Sequence, residues 1–313
     1  MTSTAPAAAC PVIVVGGANM DISAKAGSAM TAGDSTPGTI HYSPGGVGRN
    51  VAENLARLGI SVDLLSVVGD DAFGKQLLAS TAAAGVGVAS VVTVPGQRTA
   101  TYLAMHQPDG EVAMAVNDMG ILESLTAAEC ARTAILSNSE AWLLLDCNLP
   151  EATLAYLLDL GRKVAVDGVS VAKCMRIAGA LSRIHVLKLN HMEAAALSGL
   201  PVVSPAQCVA AVQHFLDLGC ERVVISFGAA GLAWGQLGDA PLFRPSRRVP
   251  VISSTGAGDA LLAGVVAALL RGAGMKDAVD YGVACAEITL SSTFANSPEL
   301  THAAVRQQMG LPA

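Results

Sequence analysis

The sequence predicts an α/β fold in which a mostly parallel central sheet carries helices on both faces and a small β-sheet lies beside it. Short apolar runs rich in Val and Leu alternate with segments of helical periodicity, which is typical of βαβ units. Polar residues follow the carboxyl ends of these runs, the edge at which open α/β sheets bind ligands. We therefore expect one domain over residues 1–313, with the small sheet formed by about 22–44 and 98–119.

The first predicted strand covers residues 11–17, and its continuous apolar run is typical of a strand buried on both faces of a sheet. The Gly-x-Gly-x-x-Gly pattern of a dinucleotide-binding fold does not follow it, which disfavours a Rossmann dehydrogenase. Asn19 and Asp21 come next. Two interpretations of this pair remain open, an Asx turn or adjacent acceptors for sugar hydroxyls.

Three glycines lie within the four residues 45–48. Without side chains, Gly45 and Gly46 would let the backbone approach a ligand closely. Asn50 follows, and it either caps the next helix or turns its amide towards that ligand. Apolar residues then recur at helical spacing until Gly59 ends the helix.

Extended runs in the first half predict further strands. One strand is predicted over 62–68 and is followed by a helix that Gly85 ends. Two more runs, 100–106 and 111–116, flank a Pro-Asp-Gly turn and predict a β-hairpin. Together with residues 22–44, this hairpin would form a lid on the main domain.

Polar side chains follow each of the four strands predicted in the second half of the chain. These strands cover residues 141–145, 163–166, 185–189 and 222–226. The residues at or just beyond their ends are Asp146, Asn148, Asp167, Asn190, Glu193, Ser226, Gly228 and Gly231. A single one of them is readily explained as a cap or turn residue, but their recurrence indicates a ligand site along one sheet edge.

The stretch over residues 253–259, SSTGAGD, precedes a long apolar helix. The backbone N–H groups of Gly256, Ala257 and Gly258 can converge on an anion, as in a phosphate site. Asp259 is a potential base, held where the helix dipole favours its charged form. The same letters also fit an ordinary helix start with an acidic first turn.

Composition and charge exclude several classes of partner. The net charge of -6 argues against binding to a nucleic-acid backbone. The longest apolar run, 260–270, is shorter than the ~20 residues that span a membrane. The seven cysteines, Cys10 among them, are dispersed, which favours reduced thiols over disulfides or a zinc site. The residues before Pro11 include no Lys or Arg, which a signal sequence would carry. We therefore expect a soluble, cytoplasmic protein.

Two motifs carry a resemblance to a known family. The glycine motif with Asn50, the motif over 255–259, their order and the strand-end residues between them resemble the ribokinase-like carbohydrate kinases, the PfkB family. The resemblance covers residues 11–310. It implies a ribokinase-like three-layer α/β/α sandwich with a β-sheet lid. It also implies transfer of the ATP γ-phosphate to a sugar hydroxyl, with ATP and Mg²⁺ as cofactors.

The resemblance implies a role for each matching residue. Asp259 would be the catalytic base, and the anion hole would be formed by Gly256, Ala257 and Gly258. Glu193 would contact magnesium through water. The nucleotide-side residues would be Asn190, Ser226, Gly228, Gly231 and Thr255. The sugar pocket would be formed by Asn19, Asp21, Gly45, Gly46, Asn50 and Asn148.

Two positions depart from the family pattern. Ser253 stands where the second motif commonly begins with an Asp that helps to hold a monovalent cation, which leaves potassium activation open. Asn148 stands where many relatives that phosphorylate simple sugars carry an acid. The neutral amide points away from a plain ribose or fructose site.

Within the family, four segments resemble the pseudouridine kinases. They cover residues 34–38, 43–50, 116–119 and 166–173, with Gly168 where those kinases usually have Pro. The resemblance implies phosphorylation of the 5′-hydroxyl of pseudouridine by ATP, with Asp21 holding the ribose 2′- and 3′-hydroxyls. Residues of these segments that would contact the nucleoside are Ser43, Asn117, Asp118 and Lys173.

Relatives of this family often pair their lids, which implies a homodimer. Alternating apolar residues such as Tyr102 and Ala104 predict a lid face that needs covering. The alternative is that this face covers only the active site of its own protomer.

Two other functions stay open. One is another PfkB-type kinase, acting on ribose, a different nucleoside or a hexose, because lid loops change specificity without changing the motifs. The other is a catalytically silent nucleoside-binding regulator on the same fold, which the intact Gly-Ala-Gly-Asp sequence disfavours.

Overall fold

The computed structural model describes residues 11–312. The strands are β1 (Val12–Val15), β2 (Asn19–Ala26), β3 (Gly38–Gly45), β4 (Val62–Leu65), β5 (Val67–Gly69), β6 (Val92–Val94), β7 (Thr101–His106), β8 (Val112–Asp118), β9 (Trp142–Asp146), β10 (Val164–Asp167), β11 (Val186–Asn190), β12 (Arg222–Ser226), β13 (Gly231–Gln236) and β14 (Leu242–Pro245). The α-helices are α1 (Val47–Arg57), α2 (Ala72–Ala83), α3 (Ala127–Arg132), α4 (Glu151–Leu158), α5 (Val171–Cys174), α6 (His191–Ser198), α7 (Pro205–Asp217), α8 (Ala257–Leu270), α9 (Met275–Leu290) and α10 (His302–Gln308). Short 3₁₀ helices cover Gly120–Ser124, Ala134–Ser137, Met175–Arg183 and Gly228–Ala230. None of the helices within residues 11–312 combines the length and the apolar character that crossing a bilayer requires.

Eight strands form the main sheet, in the order β14-β13-β12-β11-β10-β9-β1-β4. The six strands from β12 to β4 are parallel to one another, whereas β13 and β14 are antiparallel at one edge. The mostly parallel sheet confirms the predicted fold class. The sequence did not predict the two edge strands, because β13 contains two glycines and glycine is depleted in strands.

Helices on both faces of the main sheet give three layers. Successive side chains of β1 point to opposite faces, so Val12 and Val14 pack in one apolar cluster and Ile13 and Val15 in the other. Helices α1, α2, α8, α9 and α10 contribute to the first cluster, and α3 to α7 contribute to the second. The cysteines of the described residues are buried free thiols, and Cys10 lies outside the described part of the chain.

A second, small sheet has the strand order β3-β2-β7-β8. The predicted segments 22–44 and 98–119 supply most of these strands, and they meet where β2 and β7 pair in parallel. Strand β2 begins at Asn19, only four residues after β1 ends at Val15. Asn19 and Asp21 therefore lie in a strand and not in the Asx turn that the sequence allowed.

The strand predicted over 62–68 is interrupted and forms two strands, β4 and β5. Ser66 lies between them and its hydroxyl donates to the carbonyl oxygen of Gly16 at 2.6 Å. The carbonyl of Ser66 accepts from the N–H of Val92 at 2.9 Å. The chain thus leaves the main sheet at Ser66, and β5 pairs with β6 instead.

Candidate active site

One buried carboxylate, that of Asp146, organises the carboxyl edge of the main sheet. Its Oδ2 accepts hydrogen bonds from the N–H groups of Gly17 at 2.8 Å and Gly48 at 2.7 Å, and its Oδ1 accepts from Asn148 at 2.9 Å. These bonds join the end of β1, the first turn of α1 and the loop after β9. A Cβ on Gly16 would lie 2.5 Å from this carboxylate. The absence of side chains at Gly16 and Gly48 therefore lets the backbone approach the Asp146 carboxylate closely.

A hydrogen bond connects the two predicted motifs. Helix α1 begins at Val47 with Gly46 as its N-cap residue, so Asn50 lies inside the helix and does not cap it. The Nδ2 of Asn50 instead donates to Oδ2 of Asp259 at 2.8 Å. Of the two interpretations of Asn50, the structure therefore excludes the cap, and its amide faces the predicted base.

Asp259 lies in the first turn of α8 and is 8% exposed. The pKa of this carboxyl is raised to about 7, because burial and the neighbouring Asp167 together outweigh the opposing effects of Lys188 and Asn50. A group with a pKa near 7 exchanges its proton at neutral pH, which is the property that a general base requires. The surroundings of Asp259 therefore suit proton transfer.

The loop before α8 adopts a conformation that only glycine tolerates at Gly256. This residue has a φ of 81°, and a Cβ there would lie 2.0 Å from the carbonyl oxygen of Ala295. The N–H of Thr255 donates to Oγ of Ser253 at 3.2 Å, which supports the loop locally. The first N–H groups of a helix have no partner in that helix, and the N–H of Ala257 makes only a long hydrogen bond, 3.4 Å, to the carbonyl oxygen of Ser254. Ala257 and Gly258 therefore lie where an anion can be bound.

Lys188 is a site residue that the sequence analysis missed. Its Nζ donates to Oδ2 of Asp167 at 2.8 Å, and a Cβ on Gly258 would lie 2.7 Å from the same nitrogen. Burial lowers the pKa of Lys188, but the carboxylates of Asp167 and Asp259 raise it by more, so the ammonium stays charged. The structure thus places a fixed positive charge against the predicted anion-binding loop. A single lysine inside an otherwise apolar strand, VLKLN, was the available signal.

Asn190 and Glu193 form a capping box at the start of α6. The Glu193 carboxylate accepts from the backbone N–H of Asn190 at 2.9 Å and from its Nδ2 at 2.6 Å. Burial raises the pKa of Glu193, and Lys188 lowers it. Within residues 11–312, no three His, Cys, Asp or Glu side chains form a metal-binding group. A Mg²⁺ ion fits this donor set only if phosphate and water oxygens supply most of its ligands, as is usual for this ion.

The remaining nucleotide-side residues lie next to Asn190. Ser226 ends β12 and pairs in register with Asn190 of β11. Gly228 and Gly231 flank the turn into β13, and a Cβ on Gly231 would lie 2.1 Å from the carbonyl oxygen of Arg244. The structure therefore brings these predicted residues together at one end of two adjacent strands.

One row across the small sheet carries several of the predicted acceptor residues. Asp21 pairs with Ser43 on one side and with Tyr102 on the other, and Tyr102 pairs with Asn117. Side chains at paired positions share a face, so these four residues lie on one side of the sheet. Asp118 is the next residue along β8 and points to the opposite face. Asp118 is therefore not part of the row, whereas Tyr102, which the sequence analysis did not place among the site residues, is part of it.

Asp21 is held in place by its neighbours at the start of the small sheet. Its Oδ1 accepts from Nδ2 of Asn19 at 2.6 Å, and a Cβ on Gly45 would lie 2.2 Å from its Oδ2. Gly46 has a φ of 96°, and a Cβ there would lie 2.5 Å from the carbonyl oxygen of Gly17. The absence of side chains at Gly45 and Gly46 thus lets the end of β3 and the start of α1 pack closely against Asp21 and Gly17.

Asn148 pairs with Lys173 beside the end of β1. The Oδ1 of Asn148 accepts from Nζ of Lys173 at 2.6 Å, and a Cβ on Gly17 would lie 2.9 Å from its Nδ2. Burial lowers the pKa of Lys173, although Asp146 opposes this change. The lysine follows a turn in which Val169 has a φ of 65°, a strained conformation for a β-branched residue.

Comparisons with known proteins identify the family of the chain. The model of the pfkB family of carbohydrate kinases matches residues 11–302. The pseudouridine kinase of Escherichia coli strain K12 is 36% identical over 296 residues, which cover 94% of this chain and 95% of that protein.

Solved structures share the fold over nearly the whole chain. A carbohydrate kinase from Agrobacterium tumefaciens has a TM-score of 0.84 at 29% identity, covering 96% of this chain and 97% of that one. The ribokinase of Arabidopsis thaliana, complexed with ribose and ATP, has a TM-score of 0.83 at 23% identity, covering 96% and 99%.

We expect Asp146→Asn to lower the free energy of unfolding by about 2–4 kcal/mol, because an amide cannot accept from all three buried N–H groups. Denaturant unfolding measures the change. Asp70→Asn, at an exposed acid that also follows a strand, is the matched control and should change the free energy by less than about 0.5 kcal/mol. Equal effects of the two substitutions would show that Asp146 does not organise this edge.

Proposed function

The chain belongs to the pfkB family of carbohydrate kinases, and on that premise we propose that it transfers the γ-phosphoryl group of ATP to the 5′-hydroxyl of pseudouridine. The family makes it an ATP-dependent phosphotransferase acting on a sugar or nucleoside. The observation that carries the proposal is the surroundings of Asp259. This carboxyl has a pKa of about 7, adjoins the glycine loop of α8 and is bonded to Asn50 on the acceptor side.

In the proposed reaction Asp259 takes the proton of the acceptor hydroxyl while that oxygen attacks the γ-phosphorus. A new O–P bond forms, the bond between the γ-phosphorus and the bridging oxygen breaks, and ADP leaves with that electron pair. Because Asn50 donates to Oδ2 of Asp259, we assign proton transfer to Oδ1. A loose phosphoryl transition state requires mainly alignment and charge stabilisation. The N–H groups of residues 256–258 and the ammonium of Lys188 would supply that stabilisation.

The nucleotide would lie over the ends of β11 and β12. Asn190, Ser226, Gly228, Gly231 and Thr255 would contact its phosphates and ribose. A magnesium ion bound to the phosphates would neutralise part of their charge. Glu193 would hold it through water, since both carboxylate oxygens already accept hydrogen bonds from Asn190.

The acceptor would lie between the main sheet and the small sheet, which we propose acts as a lid. Asp21, oriented by Asn19, would hold the ribose 2′- and 3′-hydroxyls through charge-assisted hydrogen bonds. Ser43 and Asn117 share the face of Asp21 and would contact the uracil edge. Two features support a nucleoside over a simple sugar, namely this polar row and the similarity to the Escherichia coli pseudouridine kinase.

The hydrogen-bonded pair of Asn148 and Lys173 also supports a nucleoside acceptor. Since Lys173 binds the amide oxygen, Nδ2 of Asn148 remains on the side of Gly17 and the acceptor. Because the amide oxygen of Asn148 is already bound, both side chains can only donate hydrogen bonds to the acceptor molecule. They therefore suit its carbonyl or hydroxyl oxygens. We propose that Asn148 and Lys173 contact the acceptor in this way.

An acceptor panel tests the proposal. ADP release with ATP and Mg²⁺ is measured for pseudouridine, uridine, ribose and fructose, and we expect kcat/KM to be at least about tenfold higher for pseudouridine. Asp259→Asn is the control for background hydrolysis. A higher kcat/KM for ribose or uridine would show another kinase of this family, and no turnover with any acceptor would show a nucleoside-binding regulator.

The pH dependence of kcat/KM tests the role of Asp259. Because the base must be deprotonated, activity should rise with pH through a midpoint of about 7, the pKa of the buried carboxyl. Lys188→Met removes a neighbouring positive charge that favours the carboxylate, so the midpoint should move to higher pH. Asp259→Asn should lower kcat by about 10²–10⁴-fold. A parent midpoint near 4, or an Asp259→Asn variant within tenfold of the parent, would contradict the assignment.

We propose that the small sheet also forms a homodimer through its apolar face. The exposed side chains of this face are Ile40 (59%), Tyr42 (53%), Leu103 (37%), Met114 (64%) and Val116 (65%). They lie opposite the row of Asp21, because they pair in register with Ile22, Ala24 and Met105 or, in the case of Val116, with Leu103. Tyr102 and Ala104, which the sequence analysis assigned to this face, lie on the other one.

Sedimentation velocity tests the dimer. A second copy would bury the apolar face, and Met114→Glu would place a charge at its centre, so we expect a parent dimer and a monomeric variant. Val203→Glu, at an apolar residue that is 77% exposed outside the small sheet, should leave the dimer unchanged. A monomeric parent at micromolar concentration would contradict the proposal.

A further inference from the structure

We propose that Arg49 is a positioning residue, which holds the amide oxygen of Asn50 and thereby aims the Asn50 NH₂ group at Asp259. The inference rests on the proposed role of Asp259 as the base. Arg49 lies in the first turn of α1 and is 2% exposed. A buried guanidinium next to the acceptor site needs a reason, because arginine is almost never fully buried unless it is paired.

The guanidinium of Arg49 bonds three different side chains. Its NH1 donates to Oε2 of Glu53 at 2.8 Å, and its NH2 donates to Oδ1 of Asn50 at 3.0 Å and to Oδ1 of Asn296 at 2.6 Å. A planar fork of donors can hold several acceptors in fixed directions, which an ammonium cannot do. Arg49 is therefore suited to orient Asn50.

The orientation of Asn50 follows from the chemistry of its neighbours. An asparagine amide has a donor end and an acceptor end, whereas a guanidinium only donates and a carboxylate only accepts. With Oδ1 held by Arg49, Nδ2 faces Oδ2 of Asp259 at 2.8 Å. If the amide were rotated by 180°, its Oδ1 would face the Asp259 carboxylate, which also only accepts hydrogen bonds. Its NH₂ group would face the Arg49 guanidinium, which also only donates them. Arg49 thus makes one rotamer of Asn50 favourable.

Asn296 extends the same support to the anion-binding loop. Its Nδ2 donates to the carbonyl oxygen of Asn50 at 2.8 Å and to Oδ1 of Asn54 at 2.9 Å. The preceding residue, Ala295, presents its carbonyl oxygen to Gly256, where a Cβ would lie 2.0 Å from it. Arg49 therefore connects the acceptor-side helix with the segment that packs against the loop before α8.

The charges around Asp259 determine what the loss of Arg49 would do. Burial and the carboxylates of Asp167 and Asp146 raise the pKa of Asp259, whereas Lys188 and the Asn50 hydrogen bond lower it. The charge of Arg49 also interacts directly with the Asp259 carboxylate, which is why the Asn50→Ala background is needed to separate this effect from the positioning of Asn50. Without a fixed donor from Asn50, the pKa would rise further. Fewer molecules would then carry a deprotonated base at pH 7, and the loss would be recovered at higher pH.

Arg57 offers a matched control on the same helix. Its guanidinium donates to Oε1 of Glu53 at 2.7 Å, so Arg57→Met removes an ion pair of the same acid without touching Asn50. Conversely, Arg49→Met leaves Glu53 with Arg57 as its partner. Comparing the two variants separates the positioning of Asn50 from the loss of an ion pair.

The experiment is a titration of the ¹³C-labelled Asp259 carboxyl, assigned with Asp259→Asn, in the full chain. The proteins are the parent, Arg49→Met, Arg57→Met, Asn50→Ala and the Arg49→Met, Asn50→Ala double variant. We expect Arg49→Met to raise the Asp259 midpoint by about half a pH unit to one pH unit, and Arg57→Met to leave it unchanged. In the Asn50→Ala background the added shift should be less than about half as large, because Arg49 acts through Asn50.

The same proteins are compared in phosphoryl transfer. For Arg49→Met, kcat at pH 7 should fall by about two- to fivefold, with KM for ATP unchanged, and recover at about pH 9. Equal Asp259 midpoints for Arg49→Met and Arg57→Met would overturn the inference. A shift of the Asp259 midpoint that keeps its full size in the Asn50→Ala background would also overturn it, because it would show that Arg49 acts through its charge alone.

Two further points keep the test decisive. If Arg49→Met does not fold, Arg49→Lys replaces it, and an unchanged Asp259 midpoint in that variant would overturn the inference. If the parent phosphorylates no acceptor, the proposed function fails, while the titration still decides the role of Arg49.

Discussion

The hydrogen bond from Asn50 to Asp259 is the interaction on which the rest of the site depends. It joins residues 209 positions apart, one in the first helix and one at the start of α8. Each of these helix starts contains a glycine whose missing side chain lets the backbone pack closely, Gly48 against Asp146 and Gly256 against Ala295. The bond can form only if both helices begin where they do. The acceptor side and the anion-binding loop are thereby held in one arrangement across the main sheet.

Electrostatics then determine what this arrangement can do. Three carboxylates, those of Asp146, Asp167 and Asp259, lie buried near the same edge, and each is stabilised by a different kind of partner. Asp146 accepts backbone N–H groups, Asp167 binds the ammonium of Lys188, and Asp259 receives the amide of Asn50. Of the three, Asp259 accepts the fewest of these side-chain hydrogen bonds, one against three at Asp146 and two at Asp167. This explains why its pKa lies near neutrality and why it can accept a proton.

Much of the fold was predictable from sequence because its signals are local. Apolar runs located the parallel strands, and the glycine-containing stretch before Asp259 located the start of α8. The residues that the analysis missed depend on contacts between distant segments. Lys188 lies in a buried strand, and its partner Asp167 lies at the end of a neighbouring strand. In the small sheet, only the register of β7 and β8 shows that Asn117 and Asp118 lie on different faces. The start of α1 was also missed, since Gly48 is tolerated inside the helix only through its contact with Asp146.

A crystal structure with pseudouridine and a non-hydrolysable ATP analogue would show whether Asp259, oriented by Asn50, is placed to receive the proton of the acceptor hydroxyl. The account predicts the 5′-oxygen within about 2.6–3.2 Å of Oδ1 of Asp259. It also predicts that Asn50 still donates to Oδ2 and that the γ-phosphate lies against residues 256–258. A 5′-oxygen bound elsewhere, with Asp259 facing no hydroxyl of the acceptor, would contradict it.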